Sequence, residues 1–236
     1  VSKTINIAIL DAVQREYWAD DEGHTDSQKF IDLLSPIYPA ASFDIFYVTE
    51  NQFPDSIDHY DGMLVTGSPA SVHDKYAWIK RLSDLIKEAD QKNKRIVASC
   101  FGHQLVAKTF GGEVGHNEGG WMIGNYMLQI TQHFEWMAQT PGTTGLYHFN
   151  QERVTRLPDQ AQVFAHSEEY PDFAYILGEN ILCVQGHPEQ PKRAMNNFLA
   201  ATELPQSQLE KAKRYIENGE PDSDVWGEWM MGFMVC

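Results

Sequence analysis

At 236 residues, with 42% hydrophobic and 22% charged side chains, the chain is long enough to bury a sizeable core in one large domain without metals or disulfides. Its formal net charge of −15 and the lack of a basic stripe exclude nucleic acid as a partner. No apolar stretch approaches the ~18 residues of a membrane span, and three cysteines do not make a disulfide framework. Free thiols fit a reducing compartment. Residues 1–10 lack the basic segment, long apolar stretch and cleavage site of a signal peptide, so the cytoplasm is the expected location and no membrane association is expected.

A first buried strand is predicted over residues 4–10. A helix over 26–34 follows, with Asp26 or Ser27 as its N-cap and Pro36 and Pro39 closing it. Residues 43–48 alternate and are rich in β-formers, which predicts a strand; 62–66 is another short apolar run. From 77 to 89, Trp78, Ile79, Leu82, Leu85, Ile86 and Ala89 recur at helical spacing. Residues 95–99 read as a strand and 103–110 as a helix. This alternation implies an α/β fold: a parallel sheet with helices on both faces and a site at the carboxyl ends of its strands.

The glycine-rich stretch 111–124 carries no helix signal. Residues 124–131, 145–148, 162–166 and 173–177 read as short strands, a mixed or antiparallel extension of the sheet. The strand 181–185 returns to the core. Helices are predicted over 192–201, 206–218 and 224–234, the last with Trp226, Trp229, Met230, Phe233 and Met234 on one core-facing side. No linker or repeat interrupts 1–236, which reads as one domain with its core over about 5–199 and its C-terminal helices over 192–234.

The chemistry concentrates at two strand ends. The strand 95–99 runs into Cys100-Phe101-Gly102-His103-Gln104, a strand, a sharp turn and then a helix: the layout of a nucleophile elbow. At a helix N-terminus a thiolate gains from the dipole and from nearby N–H groups, and Gly102 permits close approach across the turn. A lone cysteine is more often a buried, inert one; the elbow context favours a nucleophile. The strand 181–185 ends on Gly186-His187-Pro188-Glu189, where His187 can act as general base and Glu189 can orient it. Oxyanion donors are expected from the backbone N–H groups of Phe101 and of Gly67, or else Ser68, in the Gly67-Ser68-Pro69 turn. The other histidines show no metal-ligand spacing, and no nucleotide fingerprint occurs, so neither a metal nor a cofactor is expected. The residues point to a thiol enzyme acting on an amide.

Taken together, the segments 66–74, 98–104 and 185–189 resemble the class I, triad-type glutamine amidotransferases, in that family's order and spacing, over roughly residues 5–199. The resemblance implies an open, mixed, mostly parallel, flavodoxin-like sheet flanked by helices. It implies a triad of Cys100, His187 and Glu189 with a γ-glutamyl thioester on Cys100, and Gly67 and Phe101 as oxyanion donors. It also implies a substrate-side role for Gln104, with Ser68 beside it, and suggests that Gly119-Gly120-Trp121 contacts the α-carboxylate or α-amine of the substrate. Two features depart from the family pattern. Ser99 stands where many members carry an apolar residue. The segment 147–152, with His148 as a candidate substrate contact, stands where many carry Trp-His-x-Asp.

The leading expectation is a γ-glutamyl amide substrate such as glutamine, with any ammonia-accepting synthetase a separate subunit. A γ-glutamyl peptidase acting on γ-glutamyl peptides or glutathione conjugates shares the same acyl half. A non-catalytic binding module on the same scaffold is the third reading, disfavoured by an intact Cys-His-Glu set. The order histidine-then-carboxylate excludes α/β-hydrolase-type thiol enzymes. Phe101 directly after the cysteine excludes the chaperone/protease relatives that carry histidine there.

Overall fold

The computed structural model describes residues 4–20 and 24–236, so the first three residues of the N-terminal segment read above lie outside it. In chain order the elements begin β1 Ile5–Asp11, α1 Asp26–Ile37, β2 Ala41–Tyr47, β3 Gly62–Val65, α2 Ala77–Gln91, β4 Arg95–Ser99 and α3 Phe101–Thr109. The middle of the chain supplies β5 Glu113–His116, β6 Met122–Ile130, β7 Thr143–Asn150, β8 Glu152–Arg156, β9 Ala161–His166 and β10 Ala174–Leu177. Strand β11 Ile181–Val184 and helices α4 Lys192–Ala201, α5 Gln206–Ile216 and α6 Ser223–Val235 complete it.

Among the described residues, nine strands form one sheet in the order β2-β1-β3-β4-β11-β10-β9-β6-β7. The first five are parallel and the remaining pairings antiparallel, as the change of pattern in the middle of the chain predicts. The antiparallel part turns back on itself: the N–H of His187, just beyond β11, bonds to the Tyr147 carbonyl of β7 at 2.8 Å. That bond ties the far edge of the sheet to the loop that carries the candidate base.

Period-two alternation divides the core into two layers. Ile5, Ile7 and Ile9 of β1 pack on one face with Phe30 and Leu34 of α1 and with α6. Ala8 and Leu10 point the other way, toward Leu82 and Ile86 of α2 and Leu105 and Val106 of α3. Full burial of a Leu or Ile is worth roughly 1.5–3 kcal/mol, so the stripe on α2 suffices to seat that helix. Helix α6 is buried nearly all round, because α1 covers one side and the sheet another; a Cβ on Gly227 would come 2.6 Å from Ile37 of α1. No helix among the described residues is long and apolar enough to cross a membrane.

Several boundaries differ from the sequence reading for local reasons. Helix α1 runs through Pro36, which removes one hydrogen bond near the C-terminal end instead of stopping the helix, and its N-cap is Thr25, whose side chain accepts from the Gln28 N–H. Helix α3 begins at Phe101, two residues early, because Cys100 itself holds the cap position. The glycine-rich stretch contains β5, which pairs with β8 in a separate two-stranded sheet; neither has enough alternation to be read from sequence.

Candidate active site

The parallel strands β1, β3, β4 and β11 deliver their carboxyl ends to one rim. Cys100 stands at the end of β4 with φ 48° and ψ −101°, a conformation that strains any residue with a Cβ by about 1–3 kcal/mol. Surrounding bonds hold it there. Its N–H bonds to the Val184 carbonyl at 2.9 Å and its carbonyl accepts the Gln104 N–H at 3.0 Å. Gly102 lets α3 start hard against β3: a Cβ there would lie 2.9 Å from the Val65 carbonyl oxygen. Ser99, a departure at sequence level, donates to the Gly186 carbonyl at 2.9 Å and so ties the elbow to the loop carrying His187.

The chain brings Cys100 and His187 within hydrogen-bonding reach across 87 residues of sequence. His187 Nδ1 donates to Glu189 Oε1 at 2.8 Å, leaving Nε2 for the sulfur. Burial opposes the charged imidazole, but the charge on Cys100 and then the Glu189 carboxylate outweigh it and hold His187 well above its ordinary pKa. The arrangement therefore favours a protonated imidazole beside the sulfur. Glu189 is steadied in turn by Gln190 Nε2, 3.2 Å from Oε1. Gln190 also donates to Asp26 at 2.8 Å and accepts from Lys29 at 3.1 Å, so α1 braces the triad carboxylate from behind.

Gly67 follows β3 and fits between these groups. A Cβ there would lie 2.9 Å from His187 Cε1 and 3.6 Å from Cys100 Cβ. Thr66 fixes the turn by accepting the Ala12 N–H and donating to the Gly67 carbonyl, both at 2.9 Å. The N–H groups of Gly67 and Phe101 have no backbone acceptor among the described residues, the state required of oxyanion donors.

Residues 41–204 match the family model described as glutamine amidotransferase class-I. The chain belongs to that family. It is 29% identical over 216 residues to gamma-glutamyl peptidase 4 of Arabidopsis thaliana, covering 87% of this chain and 85% of the relative. A glutamine-hydrolyzing GMP synthase of Aeropyrum pernix is 26% identical over 180 residues, covering 74% of this chain and 33% of that protein. The crystal structure of a glutamine amidotransferase from Thermotoga maritima superposes with a TM-score of 0.74 at 18% identity, covering 99% of this chain and 97% of that one, and so shares the fold.

In this amidotransferase-family chain, Cys100 and His187 open onto a cavity of about 340 Å³. Ser68 and Pro69 line it beside them. One part of the lining is aromatic, with Trp121 tilted against Phe149 at 4.8 Å and Phe149 stacked on Phe198 at 4.6 Å; Thr25, Asp26, Lys29 and Gln190 supply a polar part. Sequence reasoning had no signal for the part supplied by α1 and its cap, because that helix carries no motif.

The remaining sequence-predicted contacts divide. Trp121 lines the cavity; Gly119 is exposed, and Gly120 packs against Gln208 on α5. Gln104 and His148 do not line the cavity. The Gln104 amide bonds to the Glu152 carbonyl at 2.8 Å and to Gln185 Oε1 at 3.2 Å. His148 is fully enclosed among Tyr126, Tyr170 and Phe173, with Nδ1 3.2 Å from Asn150 Oδ1. It faces away because alternation along β7 sends its neighbour Phe149 to the cavity. Burial lowers its pKa to about 3; the Asn150 contact opposes the shift only in part, and the nearby His187 adds a smaller lowering effect.

Proposed function

We propose that this protein cleaves γ-glutamyl amide bonds through a γ-glutamyl thioester on Cys100. The observation that carries the reading is the Cys100–His187–Glu189 set at the mouth of the cavity. The Cys100 thiolate attacks the γ-carbonyl carbon, and the oxyanion is received by the N–H groups of Gly67 and Phe101. His187 gives its proton to the departing amine as the C–N bond breaks. It then takes a proton from water, which adds to the thioester carbon; the C–S bond breaks, the electron pair returns to sulfur, and glutamate leaves. Glu189 keeps the imidazole in the tautomer that serves both steps.

The leaving group separates two versions of this reaction. The cavity extends past Cys100 along the Trp121–Phe149–Phe198 wall, which favours an amine with an apolar body, as in a γ-glutamyl peptide, over ammonia. The relation to gamma-glutamyl peptidase 4 supports the same version. The other version releases ammonia from glutamine to a synthetase, here a separate subunit; the match to one third of a GMP synthase supports it. A reducing compartment such as the cytoplasm suits an enzyme that depends on a free thiol.

The test is glutamate release from γ-glutamyl-phenylalanine, γ-glutamyl-alanine and glutamine. The expected order of kcat/KM is the order just given, with all three abolished in Cys100→Ala. Glutamine as the fastest substrate would transfer the assignment to the ammonia-releasing version. Turnover persisting in Cys100→Ala would end both.

A further inference from the structure

Gln185, the last residue before Gly186-His187, has no exposed surface and places its side-chain nitrogen 3.5 Å from Cys100 Sγ. The neighbouring bonds decide which end of this amide faces the sulfur. The Glu152 carbonyl can only accept, so Gln104 must present its NH2 there, at 2.8 Å. The second hydrogen of that same NH2 points to Gln185, 3.2 Å away, which must therefore answer with Oε1. Its NH2 is left facing Cys100. The backbone N–H of Gln185 bonds to the Phe173 carbonyl at 2.8 Å, so the residue is fixed at both ends.

We propose that Gln185 is a catalytic residue whose side-chain N–H donates to the Cys100 thiolate, with Gln104 as the positioning residue that keeps the donor end turned toward sulfur. The proposal rests on Cys100 being the nucleophile. It gives Gln104 a role one shell behind the sulfur, where the sequence resemblance suggested a substrate contact. The N–H works twice in each turnover. It raises the fraction of Cys100 present as thiolate before attack. When water has added to the thioester carbon and the C–S bond breaks, it receives the electron pair returning to sulfur. An amide suits this position because it holds a donor against sulfur without a charge that would compete with His187 for the thiolate.

The experiment measures the rate of Cys100 alkylation by iodoacetamide against pH, with the modified site identified by peptide mapping. In Gln185→Met, which fills similar volume and cannot donate, the midpoint should rise by about one pH unit. In Gln185→Glu it should rise further, because a carboxylate repels the thiolate. In Gln104→Met it should rise by about half a unit, since the amide loses the partner that orients it. A side chain that merely packs would leave the midpoint where it is. Unchanged midpoints in folded Gln185→Met and Gln185→Glu overturn the proposal. If neither folds, Gln104→Met decides: a rise supports it and an unchanged midpoint refutes it. Failure here is distinguishable from failure of the nucleophile assignment. A γ-glutamyl adduct on Cys100 with an unmoved midpoint removes Gln185 alone, whereas turnover in Cys100→Ala removes the assignment beneath it.

Discussion

Cys100 follows β4 and Cys183 lies on the adjacent strand β11, and both are buried free thiols. Cys183 lies within β11, opposite Ala98, with no exposed surface, and burial pushes its thiol far above the ordinary range. Cys100 lies just past the end of β4, 6% exposed, with an imidazole, an amide N–H and two unspent backbone N–H groups around it. The residue type is the same and the chemistry is not. The strand interior supplies apolar neighbours, the Tyr175 side chain and paired backbone, with no cationic partner for a thiolate among the described residues; the rim supplies donors and a cavity. A nucleophile here is a property of the end of a parallel strand.

The largest contrast should come from removing each sulfur. Cys100→Ala should reduce γ-glutamyl turnover by at least about 10⁴-fold, because the attacking atom is gone. Cys183→Ala should leave kcat/KM within about twofold and lower stability by roughly 1 kcal/mol as a small cavity opens. A large activity loss from Cys183→Ala would break the distinction between rim and interior.

Next in size is Glu189→Gln. The base survives but its tautomer and charge are less well held, so kcat should fall about 10²–10³-fold while KM changes little. Gly67→Ala should follow, with kcat down about 10–10²-fold, because the added methyl meets His187 Cε1 at 2.9 Å and pushes the imidazole from the sulfur. Crystals of that variant with the ring undisplaced would show that Gly67 acts through its N–H alone.

The interior makes a separate, pH-dependent prediction. His148 stays neutral in the folded protein down to about pH 3, while in the unfolded chain it takes a proton below about 6.5. Between those values the unfolded state binds the extra proton, so this residue costs stability as pH falls. In His148→Gln that contribution is absent. The stability gap between wild type and variant should therefore shrink by about 1.4 kcal/mol per pH unit from pH 6 toward pH 4.5 in denaturant titrations. A gap constant with pH would mean His148 is not held neutral. The smallest effect concerns the elbow. Cys100→Gly should be about 1 kcal/mol more stable than Cys100→Ala, since glycine accepts φ 48° without a Cβ penalty.

The parallel half was largely legible. The apolar stripe of α2 and the run of β4 are strong periodic signals, and β4 falls on the predicted residues. Motif spacing likewise located the Cys100, His187 and Gly67 segments at one rim, because strand ends of a parallel sheet must meet there. Much less could be read in the antiparallel half. Strands β5 and β8 are short, and β5 includes a glycine. Whether His148 or Phe149 faces the cavity depends on a one-residue register that sequence does not fix. Gln185 stood within a recognised segment without a role, since an amide two residues before a histidine gains meaning only when the fold sets it beside sulfur.

The central claim is most directly tested by trapping the acyl enzyme. Wild-type protein mixed with γ-glutamyl-phenylalanine, quenched in acid within the first turnovers and mapped by peptide mass spectrometry should carry a γ-glutamyl group on Cys100, and none on Cys183 or Cys236. The same adduct on any other residue, or brisk turnover with Cys100 unmodified in both wild type and a slow-deacylating Glu189→Gln variant, would contradict it.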